Sequence, residues 1–556
     1  MFDAIVIGSG ISGGWAAKEL TERGLKVALI ERGRPIEHQT DYTTEMKAPW
    51  EMPFRGYGDM NLLRREYAVQ MQGRNFDEWT YTHFVNDKDF PYQTTEQDAV
   101  QWRRAYQLGG RSLVWGRACY RWGEQDFLAN AQDGHGTPWP VGYADLAPWY
   151  DHVESFIGVN GSREGLTQLP DGIFQPPMDL NACETALQQA IAEHYNDRRL
   201  IQGRGAHLTE EKEGRAKCQY RNICARGCSF GAYFSTQSST LPAAQKTGRL
   251  TVMTNTVVEA IEHDDRNRAS GVRVIDSTTK ARSTITARLV FLCAGSWNSS
   301  ATLLRSTSEA FPHGLANRSG VVGEYLIDHA STFSTMAEIP GLDQHYYFGN
   351  RPVNFVIPRF RNIGENRSSF LRGYSFQGGA VRPGWGRGGE AAGIGKALKD
   401  KLRQPGTWRM LLVAFAECLP RKENRLKLAS NVFDKDGLPL LDITLRHGDN
   451  ERALLKDAQQ EAQDMVKLIG GRILLSSAEP GAGGTSVHEM GGARMGADPT
   501  QSVVNRYNQT HDVPNLFITD GAAMASSANV NPSLTYMAFT ARAAANAVTM
   551  LQEGRI

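Results

Sequence analysis

The stretch DAIVIGSGISGGWAAKELTERGLKVALIERG, residues 3 to 33, decides the fold. Its apolar run from Ala4 to Ile7 predicts a buried parallel strand. Gly8, Gly10 and Gly13 then make a turn that enters a helical pattern, and a second strand, Lys26 to Ile30, ends in Glu31. Gly8 turns the chain sharply, Gly10 lets backbone approach a pyrophosphate, and Gly13 lets helix pack closely on strand. The helix start offers unpaired N–H groups and a positive dipole end to phosphate. Glu31, with Arg32 beside it, stands where a carboxylate accepts from a ribose hydroxyl. A lone glycine pattern is explained equally well by a tight turn. Strand, glycines, helix, second strand and terminal acid in this order predict a dinucleotide site.

Bulk properties narrow the alternatives. At 556 residues the chain is too long for one simple core, so two domains or one large composite domain are expected. Lys plus Arg number 61 against 60 for Asp plus Glu, a balance that gives no reason to expect a nucleic-acid partner. The longest apolar stretches are too short to span a bilayer. The first strand begins almost at Met1, which leaves no room for a signal peptide, so export would need another carrier. Seven cysteines, an odd number in a large chain, do not form a disulfide framework.

Strand and helix signals of dinucleotide-binding type recur in separated blocks, among them Leu108 to Trp122, Leu250 to Glu262, Arg288 to Leu304 and Pro514 to Met524. One α/β domain (an α+β composite) assembled from distant segments explains this better than tandem domains. The predicted division is a dinucleotide-binding domain of Rossmann type from residues 1–40, 96–125, 215–305 and 481–556. A sheet-containing substrate-binding domain takes residues 126–214 and 306–480. Residues 41–95 read as an irregular insertion, either a lid or a partner-docking loop. Residues 196–217 and 383–405 also read as surface loops.

The C-terminal region carries the chemistry. SVHEMGGARMG, Ser486 to Gly496, precedes a strand ending at Asp520-Gly521 and the segment NPSLT, which opens a final helix. Oxidising an alcohol requires a base for the hydroxyl proton as hydride leaves carbon, and neutral imidazole suits that near pH 7. His488 is that candidate. Asn531, 43 residues on, supplies an amide to orient the hydroxyl. The helix start, with Pro532 and Thr535, aims N–H groups at the place where a flavin gathers negative charge.

On GSGISGG, LGGRSLVWG, CAGSWNSSATLL and HEMGGARMG…NPSLT, the chain resembles the glucose–methanol–choline (GMC) oxidoreductases over essentially its whole length. These are FAD enzymes that oxidise alcohols. The resemblance implies His488 as catalytic base and Asn531 as its partner. It places Gly109, Gly110, Ser112, Trp115 and Gly116 beside the isoalloxazine, and Val257 or Val258 in backbone contact with adenine. Ala294 falls within the third motif, and Asp520 and Gly521 match the ribityl–pyrophosphate contacts. Val114 stands where some relatives carry a histidine bonded to flavin, so the resemblance implies non-covalent FAD.

Cys218, Cys224 and Cys228 lie within eleven residues, with the spacing Cys-x5-Cys-x3-Cys. From spacing alone, an iron–sulfur cluster of the 3Fe-4S type and chance clustering of buried thiols compete. Zinc would need a fourth ligand. The same pattern in a matching place resembles cluster-bearing flavoprotein subunits of bacterial glucose dehydrogenases, which favours the cluster. The resemblance then implies a sugar dehydrogenase acting at the 3-position of a glucoside or disaccharide, with electrons leaving through the cluster to a cytochrome c. It implies a periplasmic location, reached with a small chaperone-like subunit bearing a twin-arginine signal; the alternative location is cytoplasmic. Rival activities are glucose 1-dehydrogenase, gluconate 2-dehydrogenase and pyranose oxidase. A rival class is an FAD-binding assembly subunit without turnover.

Overall fold

The opening stretch forms β1 (Phe2–Ile7), the helix Ile11–Glu22 and β2 (Val27–Ile30). These observations come from a computed structural model described for residues 1–95, 99–345, 351–365, 368–384 and 393–556. β1 and β2 pair in parallel, with Ala4 beside Val27 and Ile7 beside Ile30. Both faces of these strands are covered, which is why their apolar runs are unbroken. β4 (Leu250–Met253) extends the parallel set beyond β2. On the other side of β1 lies the second half of β7 (Arg282–Leu292), followed by β15 (Leu516–Ile518), again parallel. The first half of β7 belongs instead to an antiparallel meander with β5 (Thr256–His263) and β6 (Ala269–Asp276). The helix Ile11–Glu22 packs on Ser533–Gln552, whose inner turns are alanine-rich and nearly all buried.

A second sheet is antiparallel throughout. Its strands are β3 (Ile201–Gln202), β8 (Ala330–Ile339), β9 (Phe355–Ile357), β10 (Tyr374–Val381), β11 (Trp408–Ala416) and β14 (Arg472–Leu475), in the order β14-β8-β11-β10-β9-β3. β11 alternates strictly. Trp408, Met410, Leu412, Ala414 and Ala416 are buried, while the residues between them are half-exposed. The helix Asp449–Lys467 packs on β8 and β11 through Leu454, Leu455, Ala458, Ala462, Met465 and Val466, a helical stripe. β12 (Arg425–Phe433) and β13 (Pro439–Thr444) make a separate hairpin.

Two arginines tie distant segments together. Arg372 lies between Asp133, on the helix Glu124–Asp133, and Glu417, just past β11, at 2.8 and 2.6 Å. Arg32 pairs with Asp434 and Asp436 in the turn of the β12–β13 hairpin, and its guanidinium lies over the rings of Tyr106 and Phe90.

Residues 41–95 form turns and short helical turns around one helix, Met60–Glu66, whose N-cap Asp59 accepts from the N–H of Asn61 and Leu62. Within the predicted surface loop 383–405 stands the helix Gly395–Arg403; residues 385–392, and residues 96–98 of the predicted segment 96–125, lie outside the described residues. Among the described residues no helix is long and apolar enough to cross a membrane. All seven cysteines are unpaired.

Candidate active site

Because β1, β2, β7 and β15 run parallel, their carboxyl ends lie along one edge, the place where such sheets bind ligands. β1 is followed by Gly8, β2 by Glu31, β7 by Cys293-Ala294 and β15 by Thr519-Asp520. Sequence positions up to about 500 residues apart are gathered this way. At Gly13 an added Cβ would stand 1.8 Å from the Gly8 carbonyl oxygen, and at Gly8, with φ +90, 2.6 Å from that of Cys293. At Gly10, Gly116 and Gly295 nothing lies within 4 Å of such a Cβ. The loop is thus tight toward protein and open toward the crevice. No side chain caps the helix Ile11–Glu22, which leaves its first N–H groups for a ligand.

Several predicted cofactor residues have protein partners of their own. Glu31 accepts from the Ser9 N–H and hydroxyl at 3.2 and 2.5 Å and from Gly33 N–H at 2.9 Å. Burial pushes its carboxyl up, against those hydrogen bonds. Gly109 N–H donates to the same Ser9 hydroxyl, joining the two glycine loops. Ser112 donates to Gly109 O, and Trp115 Nε1 donates to Phe234 O at 3.0 Å. Asp520 accepts from Gly295 N–H, Ser299 Oγ and Ala522 N–H, pinning the end of β15 to the start of the helix Ser296–Arg305. The Thr535 hydroxyl meets Tyr150 Oη at 2.8 Å, and Pro532 is the N-cap of the last helix. Val257 and Val258 are buried in β5. Arg32, expected beside the cofactor, is held by Asp434 and Asp436.

His488 and Asn531 meet. Asn531 Nδ2 and His488 Nε2 are 2.9 Å apart, and Gln377 Nε2 donates to Asn531 Oδ1 at 2.6 Å. Behind His488, its Nδ1 faces His329 Nδ1 at 3.0 Å, and His329 Nε2 reaches Ala528 O at 3.1 Å. The second sheet roofs this row. Ser375 and Gln377, two apart on β10, share a face, where Ser375 donates to Asn529 O. Phe415, opposite Ser375 on β11, packs its ring on both His488 and His329. Burial first, then His329 and Arg111, hold His488 well below the usual histidine range; burial holds His329 at about 4. Both rings are therefore neutral near pH 7.

The backbone around His488 is bent by a carboxylate. Asp328 accepts from Ser486 N–H at 3.1 Å and His488 N–H at 3.0 Å, straddling Val487. Val487 has φ +58, a left-handed conformation costly for a β-branched residue and held only by its surroundings. Burial, then the nearby Glu489, pushes Asp328 up to about 7. Glu489 itself makes a two-pronged pair with Arg111 at 2.9 and 2.5 Å, anchoring the 109–116 loop to the HEMGG segment. No motif spacing singles out Asp328, His329 or Gln377 in the sequence. The adjacent acid and imidazole in LIDHAS, Leu326 to Ser331, were the available signal; Gln377 carries none.

The cysteine loop adjoins the 109–116 loop. Arg117 donates to both Leu113 O and Cys224 O, and Tyr233 Oη donates to Leu113 O. Cys218, Cys224 and Cys228 line one pocket with His207, Arg221 and Tyr233. The structure does not show the expected convergence on a cluster. Among the described residues, no group of three or more His, Cys, Asp or Glu is placed to hold a metal ion. The sulfurs have other neighbours: Cys218 Sγ accepts from Tyr220 N–H at 3.4 Å, and Arg221 reaches Cys228 Sγ at 3.9 Å. Burial pushes the Cys218 thiol up to about 11. The trio shares a pocket but is not arranged as ligands.

Comparison with known proteins agrees with this geometry. A family model described as GMC oxidoreductase matches residues 2–331, and its C-terminal counterpart matches residues 420–540. The chain is 26% identical to the fructose dehydrogenase large subunit of Gluconobacter japonicus, over 99% of this chain and 98% of that protein. It is 27% identical to the 2-methyl-1,2-propanediol dehydrogenase of Mycolicibacterium austroafricanum, over 97% and 94%. The crystal structure of pyridoxine 4-oxidase from Mesorbium loti superposes with TM-score 0.61 at 17% identity, covering 98% of each chain, a likeness of fold.

Proposed function

This chain belongs to the GMC oxidoreductase family, and from that premise we propose that it is an FAD-dependent dehydrogenase that oxidises a secondary hydroxyl of a sugar. The observation that carries the reading is the 2.9 Å meeting of His488 and Asn531 beneath the second sheet. The cradle fits FAD: it is tight toward protein at Gly13 and open at Gly10, Gly116 and Gly295. When bound, FAD supplies the two-electron acceptor for the hydride leaving the carbinol carbon. The chain does the rest. His488 Nε2 takes the hydroxyl proton, Asn531 orients the oxygen, and Phe415 of the β10–β11 face packs on the imidazole and holds its ring. Val114 offers no atom for a covalent bond to flavin, which supports non-covalent FAD. Bleaching of the flavin by sugar under anaerobic conditions tests the whole reading; no bleaching with any alcohol would leave an FAD-binding assembly subunit.

Within that class we propose the 3-position of glucosides or disaccharides as the point of attack. Methyl glucosides are then expected to be turned over as well as free glucose, since the anomeric hydroxyl is not needed. Product analysis with an artificial electron acceptor checks this. Turnover of glucose with none of the methyl glucoside would move the reading to glucose 1-dehydrogenase.

The proposal extends to partners, a small subunit carrying a twin-arginine signal and a cytochrome c acceptor, with work in the periplasm. The similarity to a protein described as a large subunit supports it. So do the exposed Met46, Trp50, Phe54 and Tyr57 in residues 41–95, next to the Glu45 that holds Arg221 of the cysteine loop at 2.5 Å. We propose an iron–sulfur cluster from the Cys-x5-Cys-x3-Cys spacing and its resemblance to cluster-bearing flavoprotein subunits, with that loop rearranging to bring the sulfurs together. Iron and acid-labile sulfide are expected in protein purified anaerobically, and to be lost in Cys224→Ser. Their absence from the wild type would remove the cluster.

A further inference from the structure

We propose that His329 is a positioning residue that fixes the tautomer of His488, so that the base meets its substrate with a bare Nε2. The inference deepens the reading of His488 as the base and rests on it. It starts from a group that can only accept. Ala528 O is a backbone carbonyl, so the His329 Nε2 that reaches it at 3.1 Å carries a hydrogen. His329 is buried and neutral, so its Nδ1 holds a lone pair. That lone pair faces His488 Nδ1 at 3.0 Å, and His488 must therefore donate from Nδ1. Its single hydrogen is spent there. Nε2 is left with the lone pair, which the Asn531 amide occupies as donor at 2.9 Å until a hydroxyl arrives. Gln377 donates to Asn531 Oδ1 and keeps that amide from turning round.

The opposite arrangement fails at several points. It would need a doubly protonated His329 among Phe415, His447 and the Ala528 carbonyl, where burial opposes charge. The charged groups facing the pair are Asp328 from beneath and Arg111 with Glu489 from the 109–116 side, the latter two already satisfying each other. It would also put a hydrogen on His488 Nε2, facing the Asn531 donor. Free neutral histidine favours that Nε2–H form, so without the His329 acceptor the base is blocked by its own proton.

The test combines nitrogen-15 spectra of histidine-labelled enzyme with transient kinetics. In the wild type, His488 is expected to show a protonated Nδ1 and a bare Nε2. His329→Leu is expected to shift that signature toward protonated Nε2. It should slow flavin reduction about 10²-fold, between a lost orienting partner and a wrong tautomer, with little change in half-saturating substrate. His329→Asn, which keeps an acceptor near the place of Nδ1, should recover the rate to within about 10-fold of wild type. A wild-type spectrum with the proton on Nε2 overturns the proposal, as does a His329→Leu enzyme that holds flavin and is reduced at the wild-type rate. If His329→Leu does not fold, the wild-type spectrum and His329→Asn still decide. If instead His488→Ala were fully active, the base reading would fail, while the spectra would still report the tautomer.

Discussion

His488→Ala is expected to keep its flavin and to be reduced by substrate about 10²–10⁴-fold more slowly than wild type, the range that general-base catalysis supplies. The size follows from what is removed. The hydroxyl proton must leave as the hydride departs, and among the described residues the hydrogen-bond partner of Nε2 is an amide, which is no base. Asn531 presents its NH₂, and its Oδ1 is taken by Gln377. Flavin retention is expected because His488 bonds Asp328 through its backbone N–H, which alanine keeps. Asn531→Ala should lose less, since an amide orients the hydroxyl without taking its proton. Anaerobic stopped-flow bleaching of the bound flavin measures both variants. Reduction of His488→Ala at the wild-type rate would sink the assignment.

Gly13→Ala is expected to lose FAD altogether. Its new Cβ would sit 1.8 Å from Gly8 O and 2.8 Å from Gly8 C, backbone atoms that cannot swing aside as a side chain can. The helix Ile11–Glu22 must then lift from the end of β1, an overpacking cost of about 1–3 kcal/mol or more, and the cradle opens. Gly10→Ala makes the informative contrast. Gly10 has φ −63, ordinary for alanine, and nothing lies within 4 Å of its Cβ. The apo-protein of Gly10→Ala should therefore melt like wild type yet fail to hold FAD, because the methyl group takes the space proposed for pyrophosphate. Flavin-to-protein absorbance ratios and thermal melts of apo-protein separate the two variants. A Gly10→Ala protein that retains full FAD would move the pyrophosphate away from this loop.

Local pattern by itself determined the nucleotide cradle, because each of its parts speaks for itself in sequence. Ala4 to Ile7 is apolar because both faces of β1 are covered, and Gly13 is glycine because strand and helix touch there. His488 and Asn531 were legible for a different reason, since their flanking motifs match a known family although 43 residues separate them. Only the tertiary structure decided what surrounds them. Asp328, His329 and Gln377 act through atoms brought from β10 and from the chain before β8, and no periodicity marks a residue whose task is one hydrogen bond to a distant ring. The left-handed Val487 is likewise invisible in sequence, where a valine argues for a strand; two N–H groups gripped by one carboxylate overrule that preference. The cysteines mark the opposite limit. Their spacing suggests a cluster, but ligation needs sulfurs converging in space, and among the described residues Cys218 and Cys228 instead meet Tyr220 N–H and Arg221. Spacing along the chain sets which groups come within reach, and packing sets where they point.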